Sequence, residues 1–321
     1  MNNELRRSRV CIGSAGISAW MLGLALLAGC PKPPPPLAVP KGPAPLCAQE
    51  TPLGAEKPPK DRTYPPGYWL ALMLKGYRAG GDLDRPTQDC RGVKADIEVD
   101  GCTSEPQADV IPGGPLTPKD IVVVSLGDAR RLVWAMTDRL TDGEAQGPVA
   151  IAEILDKGSA VRALGVLRSF TDNLNLRLEK LGTGTVLVAD AEHCAEGVPA
   201  EQCERAIRIV PLVDGTRFAA KPLVDENGVC LGRAFLLVKA NGSATSRRGV
   251  KYQMETLVTF TPENVQVREH LALDGLRRED PSFVTRVQAD RQVTLKGENL
   301  VATGSSLLTR WQSNQEAPLK K

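Results

Sequence analysis

The stretch YQMETLVTFTPENVQVREHLALDG, residues 252–275, contains two runs in which apolar and polar residues alternate. Successive side chains of a β-strand point to opposite faces of the sheet, so each run predicts a strand with one dry and one wet face. In the second run Val265 and Leu273 belong to the dry face, and Gln266 and His270 to the wet face. We therefore expect two strands of an antiparallel sheet here.

Further strands are expected on both sides of this stretch. Asp-Gly and Asn-Gly pairs tolerate the positive φ angles of tight hairpins, and they separate the candidate strands. These pairs are Asp100-Gly101, Asp142-Gly143, Asp214-Gly215, Asn227-Gly228, Asn241-Gly242 and Asp274-Gly275. The candidate strands before residue 252 are 121–124, 149–154, 174–178, 186–189, 207–213 and 235–238. Those after residue 275 are 283–287, 292–295 and 307–311.

Helical patterns are scarcer. Residues 68–77, which follow Pro65 and Pro66, are one helix candidate, and residues 160–170 are compatible with helix or strand. The apolar segment 68–74 fits either a membrane interface or the protein core; it lacks a Lys/Arg-rich face, so we favour the core. We predict a mainly β fold, an antiparallel meander that forms a barrel, half-barrel or sandwich with one or two helices.

The first 29 residues have the pattern of an export signal. Arg6, Arg7 and Arg9 precede residues 10–29, which contain no charged side chain and end in small residues. The sequence Leu27-Ala28-Gly29-Cys30 that closes this segment resembles the lipobox of bacterial lipoproteins. The resemblance covers this segment only, about a tenth of the chain.

The lipoprotein resemblance implies that Cys30 becomes the first residue and carries a diacylglycerol, usually with a further acyl chain such as palmitate on its amino group. Two or three acyl chains hold a protein stably at a membrane, whereas one holds it only marginally. Pro31 stands where an aspartate favours inner-membrane retention in enterobacterial lipoproteins. By resemblance, the expected location is the cell envelope, at the periplasmic face of the outer membrane rather than the inner membrane.

Residues 30–66 combine the candidate lipidated cysteine with a proline-rich tether. Thirteen of the 36 residues from 31 to 66 are proline, and proline fixes φ and removes a backbone donor. Fully extended as polyproline II, such a segment reaches on the order of 110 Å. We expect it to hold the following domain away from the membrane.

Residues 67–321 are expected to form the β-rich exported domain, with a subdivision near residues 105–120 left open. Loss of residues 1–29 removes three of 40 basic and one of 38 acidic side chains, which leaves 37 of each. Binding to nucleic acid needs a basic surface that neutralises phosphates. The balanced charge therefore predicts no nucleic-acid partner.

Six cysteines remain besides Cys11 in the signal and Cys30. An even number in an oxidising compartment predicts disulfide bonds rather than a zinc site, because the spacings are not those of paired zinc ligands. The short separations favour Cys90 with Cys102 and Cys194 with Cys203, which leaves Cys47 with Cys230.

Catalytic signatures are missing from the sequence. It contains no Gly-x-Ser-x-Gly elbow, Ser-x-x-Lys pair, His-Glu-x-x-His motif or phosphate loop. The two histidines are read as a disulfide-loop residue, His193, and a solvated strand residue, His270. Asp82, Asp84 and Asp89 fail the calcium-loop pattern because Pro86 occupies a ligand position. We expect no catalytic residue, cofactor or metal.

Two function classes are favoured. The first is a membrane-anchored envelope lipoprotein that binds or scaffolds another envelope protein without catalysis. The second is a carrier or chaperone for a lipid or other apolar ligand, held in a half-closed barrel. A packed interior favours the first class and a large dry cavity the second, whereas an enzyme would need carboxylates that converge in a cleft.

Overall fold

The computed structural model describes residues 64, 66–73, 101–102, 108–111, 117–127, 129–155, 158–199, 202–243, 250–275 and 284–313. Within these residues the chain forms seventeen β-strands and two α-helices. The strands belong to one large sheet, mostly antiparallel, that does not close on itself. The predicted mainly β class is confirmed.

The elements are numbered along the chain. The helices are α1 (Pro66–Met73) and α2 (Leu307–Ser313). The strands are β1 (Val110–Ile111), β2 (Ile121–Ser125), β3 (Arg130–Ala135), β4 (Asp138–Leu140), β5 (Ala145–Leu155), β6 (Gly158–Ser169), β7 (Asp172–Leu181), β8 (Gly184–His193), β9 (Glu204–Val213), β10 (Arg217–Phe218), β11 (Pro222–Val224), β12 (Cys230–Arg233), β13 (Phe235–Ser243), β14 (Lys251–Phe260), β15 (Val265–Asp274), β16 (Val284–Lys296) and β17 (Asn299–Ala302).

The alternating stretch at residues 252–275 forms the hairpin β14–β15. The two strands pair antiparallel over ten positions, from Lys251 opposite Asp274 to Phe260 opposite Val265. In the turn, the Thr261 N–H donates to the Asn264 carbonyl oxygen at 2.8 Å. The period of two places most apolar residues of both strands on one face and most polar residues on the other, as the sequence predicts; the exceptions are the exposed Leu257 and the buried Glu269.

Strands β8 and β9 lie between two apolar clusters. One cluster joins Leu187 of β8 and Val210 of β9 to the inner residues of β3, β5 and β6. The other joins Val188 and Ile209, on the opposite faces of the same strands, to residues of β13, β15, β16 and β17. Because both faces are covered, these strands appear in the sequence as nearly continuous apolar runs rather than as alternating ones.

Helix α1 packs in the core, as the sequence favours over a membrane interface. Trp69 is only 2% exposed and belongs to a cluster with residues of β3, β5 and β6. The Tyr68 hydroxyl donates to Ser159 Oγ at 2.6 Å, which fastens the helix to β6. Residues 74–77, the rest of the predicted helix, lie outside the described residues.

Three local predictions need correction. Residues 307–311 are helical rather than extended, because Leu307, Leu308 and Trp311 share one helix face that packs on β14 and β15. Residues 283–287 and 292–295 are not two strands, since the alternation continues from residue 284 to 296 as one strand, β16. The ambiguous segment 160–170 lies mostly in β6.

The Asn241-Gly242 pair is not a turn but lies inside β13. A Cβ atom at position 242 would lie 2.6 Å from the Tyr252 hydroxyl oxygen, so glycine here makes room for the neighbouring aromatic ring. Asp214-Gly215, in contrast, forms the expected turn, and its two residues have φ angles of 49° and 68°.

Two disulfides are described. Cys194 bonds to Cys203, as the short spacing predicts. Cys102 bonds to Cys230 across 128 residues, so the predicted pairs Cys90–Cys102 and Cys47–Cys230 are wrong. The error arises because sequence separation was used to choose the pairs, whereas the fold places Cys102 and Cys230 with their Cα atoms 5.8 Å apart.

Several predicted features lie outside the described residues. They are Cys30, Cys47 and Cys90, the signal segment, the tether as far as residue 63, and the acidic loop with Asp82, Asp84 and Asp89.

Candidate functional site

A cleft of about 1650 Å3 opens beside the loop that the Cys194–Cys203 disulfide closes. Ala195, Val198 and Gln202 of this loop line one side of the cleft. The opposite side is formed mainly by the outward face of β14, β15 and β16. The cleft therefore lies between a covalently closed loop and a regular sheet surface.

The sheet side of the cleft is a regular array of polar residues. Strand register places Glu255, His270 and Gln288 side by side on β14, β15 and β16. The neighbouring same-face row contains Ala272 and Arg286. Side chains two residues apart on a strand share a face, so both rows project into the cleft and provide both charge signs.

Glu204, His193 and Tyr252 also line the cleft. Glu204 begins β9 and lies directly opposite His193, the last residue of β8. Burial raises the pKa of the Glu204 carboxyl, and the nearby His193 only partly offsets this effect. The pKa of Tyr252 is raised first by burial and then by the charge of Glu204, so these groups share one electrostatic neighbourhood.

Two neighbours hold the His193 ring in place. The ring lies 5.4 Å from the Phe170 ring, centroid to centroid. Its other neighbour is Gly143. A Cβ atom at this position would lie 2.4–2.5 Å from three atoms of the His193 ring, so only glycine leaves room for the ring. Gly143 also has a φ angle of 83°, a backbone conformation that residues with a side chain rarely adopt.

A buried ionic network lies next to the cleft and centres on Glu144. The Glu144 side chain is 1% exposed and accepts hydrogen bonds from three guanidinium groups. The donors are Arg168 Nε at 2.6 Å, Arg208 Nη2 at 3.1 Å and Arg233 Nη2 at 2.5 Å. They come from β6, β9 and β12, so one carboxylate ties together three separate strands.

Asp142 joins this network to the cleft. It forms an ion pair with Arg168 and lies 3.9 Å from Arg233 Nη1. Burial alone would raise the pKa of Asp142, but the charge of Arg168 and hydrogen bonds from Glu144 and Arg168 outweigh it, and the pKa is lowered. The guanidinium carbons of Arg208 and Arg233 lie 5.0 and 5.4 Å from the centre of the Phe235 ring.

The apolar face of β13 to β17 is covered by packed side chains. Leu307, Leu308 and Trp311 of α2 pack on one part of it, and residues of β8 and β9 pack on the other. In its middle, Glu269 is fully buried; it accepts hydrogen bonds from Arg291 Nε at 2.9 Å and from the Leu307 N–H at 2.8 Å. The buried charge is thus paired and also holds the start of α2.

Both histidines lie where their local sequence predicts. His270 is exposed on the polar side of β15, and His193 adjoins the disulfide loop. Their location in one cleft was not predicted, and neither were Glu204, Tyr252 or Glu144. Strand pairing brings these residues together from distant parts of the chain, so no short stretch of the sequence indicates that they are neighbours.

Within the described ranges, no three His, Cys, Asp or Glu side chains are grouped so as to hold a metal ion. Neither described helix is long and apolar enough to cross a bilayer.

The fold and cleft define a disulfide-linked, mainly antiparallel β protein with an open cleft that charged and apolar residues both line. Comparison with known proteins adds no relative: no protein-family model, curated protein or solved structure shows a significant match to this chain.

Proposed function

We propose that this protein is a lipoprotein of the bacterial cell envelope that binds another envelope protein through the cleft, without catalysing a reaction. The lipobox-like segment ending at Cys30 supports the membrane anchor, and the proline-rich tether supports a domain held away from the membrane. The two disulfides are typical of an oxidising compartment. Pro31 supports the outer membrane as the site of anchorage.

The cleft is the observation that carries the proposal. Small-molecule pockets are usually about 300–1000 Å3, enclosed and mostly apolar. This cleft measures about 1650 Å3, and its lining includes Glu204, Glu255, Lys251 and Arg286. An open, charged groove beside a regular sheet fits a segment of another protein better than a buried small molecule.

The covered apolar face of β13 to β17 favours protein binding over the carrier alternative. A lipid carrier needs an apolar cavity, and the apolar face of these strands is covered by α2 and by β8 and β9. The proposal that the protein is not an enzyme rests on the absence of catalytic signatures from the sequence.

Site-specific photocrosslinking in intact cells tests the proposal. A benzoylphenylalanine is placed at Gln288, which lines the cleft, or at Gln292, which is exposed on the same face of the same strand but does not line it. The two positions lie about 13 Å apart along the strand. We expect one discrete protein adduct from position 288 and none from position 292, identified by mass spectrometry.

Two results contradict the proposal. Equal crosslinking from both positions would show that the cleft has no special role. A phospholipid adduct from position 288, with no protein adduct, would favour the carrier.

A further inference from the structure

Glu204 is a cleft carboxylate whose burial the described residues offset only in part, through the nearby His193. It is half-buried, yet it forms no hydrogen bond or ion pair with any other described residue. In contrast, Asp142 is paired with Arg168, and Glu255 accepts a hydrogen bond from Gln253 Nε2 at 3.2 Å. A carboxylate that loses water and gains only partial compensation is destabilising, and a cation supplied by a ligand would remove this cost.

The neighbours of Glu204 also suit a cationic group. An ammonium or guanidinium group only donates hydrogen bonds, and the Glu204 carboxylate and the Tyr252 hydroxyl oxygen are both able to accept them. The cleft lining also includes Val198 and Ala272, against which the methylenes of a long cationic side chain can pack. An anionic side chain at this point would face Glu204 directly.

We propose that Glu204 receives a lysine or arginine side chain from the protein segment that occupies the cleft. This inference rests on the proposed function and narrows it, because it defines the partner as a segment with a cationic side chain at one fixed position. The volume of the cleft, about 1650 Å3, and its sheet wall favour a chain segment over a free small cation. Glu204 is thus a specificity-determining residue of the interface.

Peptide selection followed by a double-mutant cycle tests the inference. Random peptides displayed on phage are selected on the full mature protein in detergent micelles. Binders that a Gln288→Trp variant loses and a Gln292→Trp variant keeps are taken as cleft binders. We expect these peptides to share one Lys or Arg, whose replacement by norleucine weakens binding about tenfold in fluorescence anisotropy.

The coupling to Glu204 is measured with the same synthetic peptides. Glu204→Gln should weaken the cationic peptide about tenfold and leave the norleucine peptide unchanged, whereas Glu263→Gln, the same chemical change at an exposed turn, should affect neither. The norleucine substitution is made in the peptide and so does not depend on how a protein variant folds.

The outcomes separate this inference from the proposed function. The inference is wrong if the cleft binders share no cationic residue, or if the effect of their cationic residue does not depend on Glu204. Either result leaves the proposed protein binding in the cleft intact. Failure to select any cleft binder overturns both.

Discussion

The Glu144 network gives the sharpest prediction about stability. Replacing Glu144 with glutamine keeps the shape of the side chain but removes the charge that faces three guanidinium groups. Removing one partner of a buried ion pair costs about 3–5 kcal/mol. Arg208 is 2% exposed, but Arg168 and Arg233 are 13% and 22% exposed and Asp142 remains, so we expect the lower value, about 3 kcal/mol.

For a domain of this size, about 3 kcal/mol corresponds to a fall of roughly 6–12 °C in Tm. The assay is urea and thermal unfolding of the purified protein with its disulfides intact. The control is Glu153→Gln, the same change on β5, where the ion pair with Arg162 is solvent-exposed. We expect the control to change the free energy of unfolding by less than about 1 kcal/mol. Equal effects of the two substitutions would refute the assigned role of Glu144.

Three further predictions use the same unfolding assay or simple probes. Replacing Cys102 and Cys230 by serine should lower the free energy of unfolding by about 5 kcal/mol, and replacing Cys194 and Cys203 by about 2.7 kcal/mol, because the first disulfide closes the longer loop. A larger loss from the Cys194–Cys203 replacement would contradict this prediction. Glu269→Gln removes the charge that the Leu307 N–H faces and should weaken the packing of α2 on the sheet. Trp311 fluorescence should then shift to longer wavelength, and trypsin should cleave faster after Arg310. Unchanged fluorescence and cleavage would show that α2 does not depend on Glu269. Because the pKa of Glu204 is raised by folding, its ionisation lowers stability as pH rises from the unfolded value near 4.5 through the folded value. Glu204→Gln should therefore be more stable than the wild type at pH 7 and should lose this advantage below pH 4, and a variant less stable at pH 7 would contradict the pKa direction.

Alternation and apolar runs predicted most of the long strands but missed β3 and the short strands, and the hairpin β14–β15 shows why the long ones were found. Alternation over ten positions on each strand determines both the strand type and the buried face. The helix α2 was missed because seven residues are too few to separate a helical from an extended pattern. Ser306, whose Oγ accepts the Thr309 N–H at 3.1 Å, is the capping signal that identifies it.

The cleft and the ionic networks were not predictable from local patterns. Arg168, Arg208 and Arg233 lie 24, 64 and 89 residues from Glu144, and only the strand order brings them together. Glu269 occupies a position that the alternation assigns to the buried face, and its partner Arg291 lies 22 residues later on β16. A charged residue on a dry face is thus the one local sign of such a network.

The proposed compartment and the proposed class of partner both rest on a lipid attached at Cys30. Mass spectrometry of the intact protein from the envelope fraction of an expressing bacterium measures this directly. We expect a mature chain that begins at Cys30 and carries a diacylglycerol on its thiol, with a Cys30→Ser variant that lacks this mass. A chain that keeps residues 1–29, or that begins at an unmodified Cys30, would contradict the proposed anchor.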